Sequence, residues 1–597
     1  MVRNLFCKSV KNFVRLKFEN KVVLITGSGT GIGMTVAKKF VESGASVIIL
    51  GRRKEPLEST SEMLTKIINE KNSNGFVKIF SGVDVSDENA ITEMFDALKN
   101  EGVNVDIVVN NAGVSGPVTC FAHAPLEDFR STVDIHLTGT FWTSVQALKV
   151  MKEGAKIITI STFFAEERPL EQRPYRFRGP YTASQGAKNR LVEAMSWELT
   201  EKGIVSIGTN PGPVHSDRIY KTVYPKAASE FLRVSGFEEL IPTEVEIVNK
   251  EILGLLGEDE ETIKNGIKAA AEKLGKQEST LTNLLNKVQS IAEKIQKNTS
   301  TMIPDQQFLS QDQVATTILT LADDDQAKIL NGKIIPGDRV FYPVRSHITS
   351  IPETVKQYDY SSKIAVLTID ATDEEDAKRA EEIAANIESN GGQAICFISD
   401  KCSKEVQDSI TNKFHSHVID FSKNEEITRW FNTAKSKGDI EAFIHITGKV
   451  PNISRLTELS RKEWDGLTNK FINIPATVSQ NAMNIFVPNG SDDPRLFKDA
   501  TGRIVIIGPD LPYGKKIGGG ERAKVEVFRG ALRPFATTVN QELSDVLKSN
   551  VRVFLVLAGA VDGKEPNNAR ITDAINYLIS NDSKSSAEVI FCPDESR

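Results

Sequence analysis

Residues 26–33 read Thr26-Gly27-Ser28-Gly29-Thr30-Gly31-Ile32-Gly33. Alternating glycines let a backbone turn sharply and bring its amides against a pyrophosphate, whose charge the N-terminus of a following helix favours. Further on the chain reads Leu50-Gly51-Arg52-Arg53-Lys54. A site for NAD usually carries Asp or Glu there, to bind the ribose 2′-hydroxyl. Three cations without an acid suit a 2′-phosphate instead, so NADP(H) is the expected cofactor and Arg52 and Arg53 its expected contacts; the plain alternative is a solvated basic turn. A second basic group lies in residues 166–180, where Arg168, Arg173, Arg176 and Arg178 stand among Glu166, Glu167 and Glu171. Guanidinium groups bind carboxylate or phosphate by paired hydrogen bonds. An anionic small molecule is therefore the expected partner, with Arg168 and Arg178 as candidate contacts, unless these arginines pair with the neighbouring glutamates.

Such chemistry needs a frame. The apolar run 22–25 predicts a buried strand, the glycine turn leads into an amphipathic helix, and 46–50 predicts a second strand, which completes the βαβ unit the motif requires. Apolar runs at 76–83, 105–109, 156–160 and 204–209 continue the alternation. They end in Asp84-Val85, Asn110-Asn111-Ala112-Gly113, Ser161-Thr162 and Asn210-Pro211-Gly212-Pro213. Alternating strands and helices imply a parallel sheet covered on both faces, with ligands beyond the carboxyl ends of its strands, where these motifs lie. Asp84 is placed to meet an adenine.

With 597 residues the chain fits two to three domains. A net charge of −6 gives no sign of nucleic-acid binding. No apolar run approaches the roughly 18 residues of a membrane span, so no membrane partner is expected. The five cysteines lack metal-like spacing, which implies no metal and a reducing, cytoplasmic setting. Residues 1–18 are basic and acid-free, and read as an arm packed on the fold, or else as a mitochondrial-type leader.

Residues 237–300 repeat apolar positions at helical spacing in two runs separated at Gly275, which predicts a helical hairpin, either a lid over the substrate or a packing insert. Residues 345–362 read as a linker. Beyond it the strand pattern recurs: 364–369 resembles the first strand, 444–448 stands where 109–113 stood, and Glu542-Leu543 matches Glu198-Leu199 at an offset of 542 − 198 = 344. The chain is thus read as a tandem duplication, with domains at 1–350 and 360–597. In the second copy the first strand runs into Asp370-Ala371-Thr372-Asp373-Glu374-Glu375-Asp376, with no glycine, and Tyr181 corresponds to Val525. Carboxylates would repel a pyrophosphate, so the second copy is expected to hold no cofactor.

The glycine turn, Asn110–Gly113, Tyr181 in Tyr181-Thr182-Ala183-Ser184-Gln185, and Asn210-Pro211-Gly212 together resemble the short-chain dehydrogenase/reductase family. A closer resemblance, carried by ISTFF (160–164) and NPGPVHSDRI (210–219), is to the N-terminal half of bifunctional malonyl-CoA reductases. The resemblance implies an α/β fold of two tandem Rossmann-like, doubly wound parallel sheets, the second degenerate. It implies cofactor contacts from Gly27, Ser28, Gly29, Thr30, Gly31, Ile32, Gly33, Asp84, Val85, Asn111, Ala112, Gly113, Tyr181, Gln185, Pro211, Gly212, Val214 and Ser216. It makes Tyr181 the proton donor to a carbonyl oxygen, Thr162 its hydroxyl partner with Ser161 the alternative, and Arg218 a carboxylate contact. The gap 181 − 162 = 19 exceeds the family spacing, so the intervening loop is enlarged.

Two positions depart from the family. Its lysine is Gln185, which supplies no charge, and its asparagine is His136. Lys188, three residues on, either reaches inward or stays solvated. His136 and Gln185 could also form an altered proton relay. The expected activity is NADPH-dependent reduction of a short anionic aldehyde or ketone, for which the resemblance suggests malonate semialdehyde going to 3-hydroxypropionate. Alternatives are reduction of a 3-oxoacyl thioester and a non-catalytic NADP-binding scaffold. No segment suggests an acyl-CoA-reducing half, so such a protein is an expected separate companion. Family members pair through two long helices, which implies a pseudo-dimer within this chain and a homodimer beyond it.

Overall fold

The structure, a computed structural model, describes residues 17–71, 73–162, 176–214, 223–238, 240–301, 303, 305–337, 348–349, 351–487, 493–511, 518–559, 567–580 and 589–593. Seven strands form the first sheet: β1 (Val22–Thr26), β2 (Ser46–Gly51), β3 (Val77–Ser81), β4 (Ile107–Asn110), β5 (Lys156–Ile160), β6 (Val205–Pro211) and β7 (Ile334–Gly337). Their order is β3-β2-β1-β4-β5-β6-β7, all parallel. The chain order reverses between β1 and β4, and this switch point opens a crevice at the strands' carboxyl ends.

The second sheet has eight parallel strands: β8 (Ile348–Thr349), β9 (Lys363–Ile369), β10 (Gln393–Ser399), β11 (His415–Ile419), β12 (Asp439–Ile446), β13 (Thr501–Ile507), β14 (Asn550–Gly559) and β15 (Val589–Pro593). Its order, β11-β10-β9-β12-β13-β14-β15-β8, repeats the first and adds one strand at the edge. That strand comes from the expected linker: Ile348 and Thr349 pair with Val589 and Ile590.

Successive residues of a strand face opposite sides of a sheet. Val23, Ile25, Val47 and Ile49 pack with Val36, Phe40 and Ala315 on the outer face. Leu24, Ile48 and Val108 face inward, into one continuous core that also holds Val366, Phe397 and Phe443 of the second sheet. The two halves share this core.

A pair of long helices, Gly179–Leu199 and Gly519–Gln541, runs through it. A Cβ on Gly186 would lie 2.1 Å from the Gly530 carbonyl oxygen, and one on Gly530 would lie 2.9 Å from that of Gly186. These glycines are 344 apart, the duplication offset (530 − 186), and let the helix backbones meet. Thr182 and Thr538 hydrogen-bond across the contact at 3.0 Å, and Trp464 stacks on Phe141 at 3.8 Å.

The insert is larger than a hairpin. Glu260–Leu274 and Glu278–Ser300 carry the two apolar runs, with Gly275 in the left-handed region at φ 63° between them. Tyr224–Ser235 and Pro242–Ile252 join them around a separate core of Leu232, Val248, Ile267, Leu284 and Val288.

Candidate active site

A cleft of about 880 Å³ opens at the switch point, near the top of the range for ligand sites. Gly27, Gly29, Thr30, Gly31 and Ile32 line its floor. Gly27 and Gly31 have φ of 64°, a conformation glycine adopts without cost. Thr30 sits at the N-cap of the helix Gly31–Glu42 and makes no side-chain cap bond there. The first amides of that helix therefore face an anion-accepting space.

Two expected contacts turn out to be supports. Ser28 is fully buried: its hydroxyl donates to the Ile25 carbonyl at 2.9 Å and accepts from Leu50 N at 3.0 Å, which ties the turn to β2. A Cβ on Gly33 would come within 2.5 Å of both the Gly27 oxygen and Asn111 Nδ2, so this glycine serves close packing. Neither residue lines the cleft. Asn111 does, but its amide is committed to the carbonyls of Thr26 and Gly27, at 2.9 and 3.2 Å.

At the adenosine end stand Arg52, Arg53, Asp84 and Val85. Arg52 pairs loosely with Asp84 at 3.5 Å, and its side chain is otherwise exposed. Asp84 also accepts from the Ser86 amide at 3.0 Å and the Ser86 hydroxyl at 2.7 Å. Ala112 and Gly113 line the middle, and Pro211, Gly212 and Val214 the far wall.

The chemistry gathers beyond the ends of β4 and β5. Tyr181, Gln185 and Lys188 project into the cleft from the helix Gly179–Leu199. Ser161 and Thr162 face them, both buried. The Ser161 hydroxyl donates to the Gln185 carbonyl at 3.1 Å. The Arg178 guanidinium carbon lies 3.9 Å from the centre of the Tyr181 ring, and this arginine donates to the Ser115 carbonyl. Stacking of this kind places positive charge beside the phenol.

His136 sits in a π-helical turn, Asp134–Thr138, 3% exposed. Its ring meets Tyr181 edge-on, with centroids 5.3 Å apart. Nε2 lies 2.9 Å from the Val114 carbonyl oxygen and 3.3 Å from the Val114 amide, and Nδ1 lies 3.0 Å from the Gln185 side-chain nitrogen. The contact sets His136 and Gln185 side by side, next to Tyr181. Gln185 Oε1 is buried without a hydrogen-bond partner. An orphaned acceptor in a cleft is costly unless a ligand satisfies it, and a ribose hydroxyl would do so.

Lys188 is not solvated. It is 1% exposed, and its ammonium donates to the Ile160 carbonyl at 2.7 Å. Burial lowers its pKa to about 7. Tyr181, Gln185 and Lys188 stand at i, i+4 and i+7, one face of a helix, and of the two readings left open by the sequence the structure shows the inward one. Gln311, which lines the cleft and accepts from the Thr35 hydroxyl at 3.2 Å, had no such signal, because it arrives from a distant helix.

Ser216, Arg168 and Arg218 lie outside the described residues. Cys120, Cys396, Cys402 and Cys592 are buried free thiols. Among the described residues no cluster of His, Cys, Asp or Glu could hold a metal, no helix is long and apolar enough to cross a membrane, and no residue of 237–300 lines the cleft.

The short chain dehydrogenase family model matches residues 21–224. A 3α-hydroxysteroid dehydrogenase of Mediterraneibacter gnavus is 32% identical over 209 residues, 35% of this chain and 78% of that protein. A 7α-hydroxysteroid dehydrogenase of Escherichia coli K12 is 27% identical over 231 residues, 38% of this chain and 85% of that protein. The chain belongs to the short-chain dehydrogenase/reductase family, and its first half carries that family's nicotinamide-cofactor cleft. Over 97% of its length it is similar to the NADP-bound N-domain of a bacterial malonyl-CoA reductase, with a TM-score of 0.70, 15% identity and 98% of that domain covered. The NADP-bound C-domain of a bacterial malonyl-CoA reductase gives a TM-score of 0.75 at 16% identity, with 97% of this chain and 99% of that domain covered. The likeness to both domains establishes the tandem α/β fold and does not choose between their reactions.

Proposed function

We propose that this chain is an NADPH-dependent reductase of a short anionic aldehyde or ketone. The observation that carries this is the placing of Arg178 and Lys188 with Tyr181 at one end of a cleft whose other end carries Arg52 and Arg53. Arg52 and Arg53 suit a 2′-phosphate, the amides at Thr30 and Gly31 a pyrophosphate, and Gln185 Oε1 a ribose hydroxyl. When bound, the reduced nicotinamide supplies a hydride to the carbonyl carbon. Tyr181 gives a proton to the carbonyl oxygen, and Thr162 donates a hydrogen bond to that oxygen. Arg178 and Lys188 favour a substrate with a carboxylate near the carbonyl. Malonate semialdehyde, going to 3-hydroxypropionate, fits these requirements.

The test is NADPH oxidation by the full chain against malonate semialdehyde, neutral aldehydes and a 3-oxoacyl thioester, with Y181F as control. Turnover should be greatest with malonate semialdehyde and fall at least a hundredfold in Y181F, within the range of general-acid contributions. Tight NADPH binding without Tyr181-dependent turnover on any of them would instead identify a scaffold. A homodimer of such chains, beside a separate acyl-CoA-reducing protein, is part of the same proposal.

A further inference from the structure

Glu542 belongs to the half that is not expected to hold a cofactor, yet it grips the half with the cleft. It opens a π-helical turn, Glu542–Val546, that continues the long helix Gly519–Gln541, and it is 1% exposed. Its two carboxylate oxygens reach across to two backbone amides of the first half. Oε1 accepts from Phe177 N and Oε2 from Phe121 N, both at 2.8 Å. From the same turn Asp545 pairs with Arg176 at 3.0 Å.

Of the two gripped residues, Phe121 opens the short helix Phe121–His123, and Phe177 lies just before the catalytic helix. Phe177 is held in the left-handed region at φ 70°, uncommon for a bulky residue, and its carbonyl accepts from Thr119 N at 3.1 Å. A conformation of this kind persists where its surroundings over-determine it. The next residue is Arg178, stacked on the Tyr181 ring, and the helix begins at Gly179. A shift at Phe177 therefore moves Arg178, and with it the charge beside the proton donor.

The reciprocal contact is built differently. Glu198 of the first half accepts from the amides of Leu456 and Thr457, at 2.6 and 3.0 Å, with Lys524 at 3.7 Å to balance it. The charged and titratable neighbours that act on Glu542 are Glu230 and Cys120, and burial pushes its carboxyl up to about 8.

We propose that Glu542 is a positioning residue for the reaction at Tyr181, acting across the contact between the halves by fixing Phe177 and so Arg178. This rests on the assignment of the Tyr181 cleft as a reductase site. The second half thereby completes the first rather than merely covering its helices.

The test is E542Q in the full chain. Glutamine keeps the size but offers one acceptor oxygen, so one of the two amides loses its partner. Hydrogen exchange should quicken in peptides spanning 119–122 and 176–182 and stay unchanged in 26–33. The kcat for malonate semialdehyde should fall about tenfold to a hundredfold, the scale of a small misplacement, while KM for NADPH stays within twofold. Unchanged exchange at 176–182, or faster exchange there with unchanged kcat, would overturn the proposal. If the wild-type chain reduces no carbonyl, the reductase assignment fails by itself, and the exchange pattern still decides whether Glu542 orders this segment. Should E542Q not fold, D545N, which removes the charge that pairs with Arg176, must show the same pattern at smaller size; normal kcat and exchange in D545N would then overturn it.

Discussion

The turn after β1 and the turn after β9 occupy the same place in two copies of one fold, and they meet the same electrostatic problem in opposite ways. In the first half the helix N-terminus is left without a side-chain cap, the turn is glycine, and cations stand nearby at Arg52 and Arg53. In the second half Asp373 caps the helix Glu374–Ser389, accepting from the amides of Glu375 and Asp376. The Asp376 carboxylate accepts from Thr372 N at 2.9 Å and Lys449 N at 3.2 Å. Lys449 pairs with Asp373 at 2.8 Å and with Glu375, and Arg379 pairs with buried Asp510. The second copy thus carries its own anions where the first leaves room for a ligand's. In the second copy internal carboxylates take the helix terminus and an internal cation balances them.

The largest effect is expected from moving a carboxylate across to the first half. A Cβ on Gly31 would meet nothing within 4 Å, and aspartate tolerates the left-handed conformation better than most residues, so G31D should fold. Its charge would face the pyrophosphate, and like-charge juxtaposition costs several kcal/mol. NADPH affinity, measured by fluorescence titration, should fall at least about a hundredfold. A variant that bound NADPH normally would show that the turn is not the phosphate site.

Lys188 comes next. K188M should lower kcat/KM about tenfold to a hundredfold, the scale of one lost charged contact to an anionic substrate. The wild-type rate should fall as pH rises through about 7, where the ammonium loses its proton, and K188R should move that limb upward. Stability carries the opposite sign. The folded pKa lies below the unfolded value, so between about pH 7 and 10.5 the unfolded chain binds the extra proton. Stability therefore rises with pH across that window in the wild type, and the rise should be smaller in K188M by urea titration. Of smaller size, R52A and R53A should each cut the preference for NADPH over NADH about tenfold, near 1.4 kcal/mol for one exposed ionic contact. Equal loss of both cofactors would show that these arginines do not read the 2′-phosphate.

The parallel sheet and the duplication were legible because hydrophobic runs and glycine turns are local signals, and they repeat at a near-constant offset. So was the face of the catalytic helix: Tyr181, Gln185 and Lys188 keep helical spacing. What stayed hidden depends on contacts between distant segments. Ser28 looked like a phosphate contact, but only β2, 22 residues on, shows that its hydroxyl belongs to Leu50. Whether Lys188 would bury depended on the Ile160 carbonyl beneath it. The edge strand Ile348–Thr349 has no pattern of its own and exists because β15 offers it an edge. Glu542 reads as an ordinary helical glutamate until the other half is packed on it.

The smallest effect sharpens the comparison from the other side. Asp373 caps the helix terminus that the first half leaves uncapped, so removing it tests whether that terminus can take an anion. D373A takes away an N-cap, at a cost near 1 kcal/mol, and one of the partners of Lys449. The helix terminus would then lack its cap, as the first half's does, with Lys449 close by. If the glycine turn is what admits a dinucleotide, this uncapping is not enough: Thr372 and Asp376 still fill the space, their backbone and side chain bonded to each other at 2.9 Å. Calorimetry should therefore find one NADPH per chain in the wild type and in D373A, with affinity and turnover within twofold and the midpoint of thermal unfolding lowered by a few degrees. A second equivalent of bound NADPH in D373A would mean that the two copies differ by a single carboxylate rather than by the whole turn.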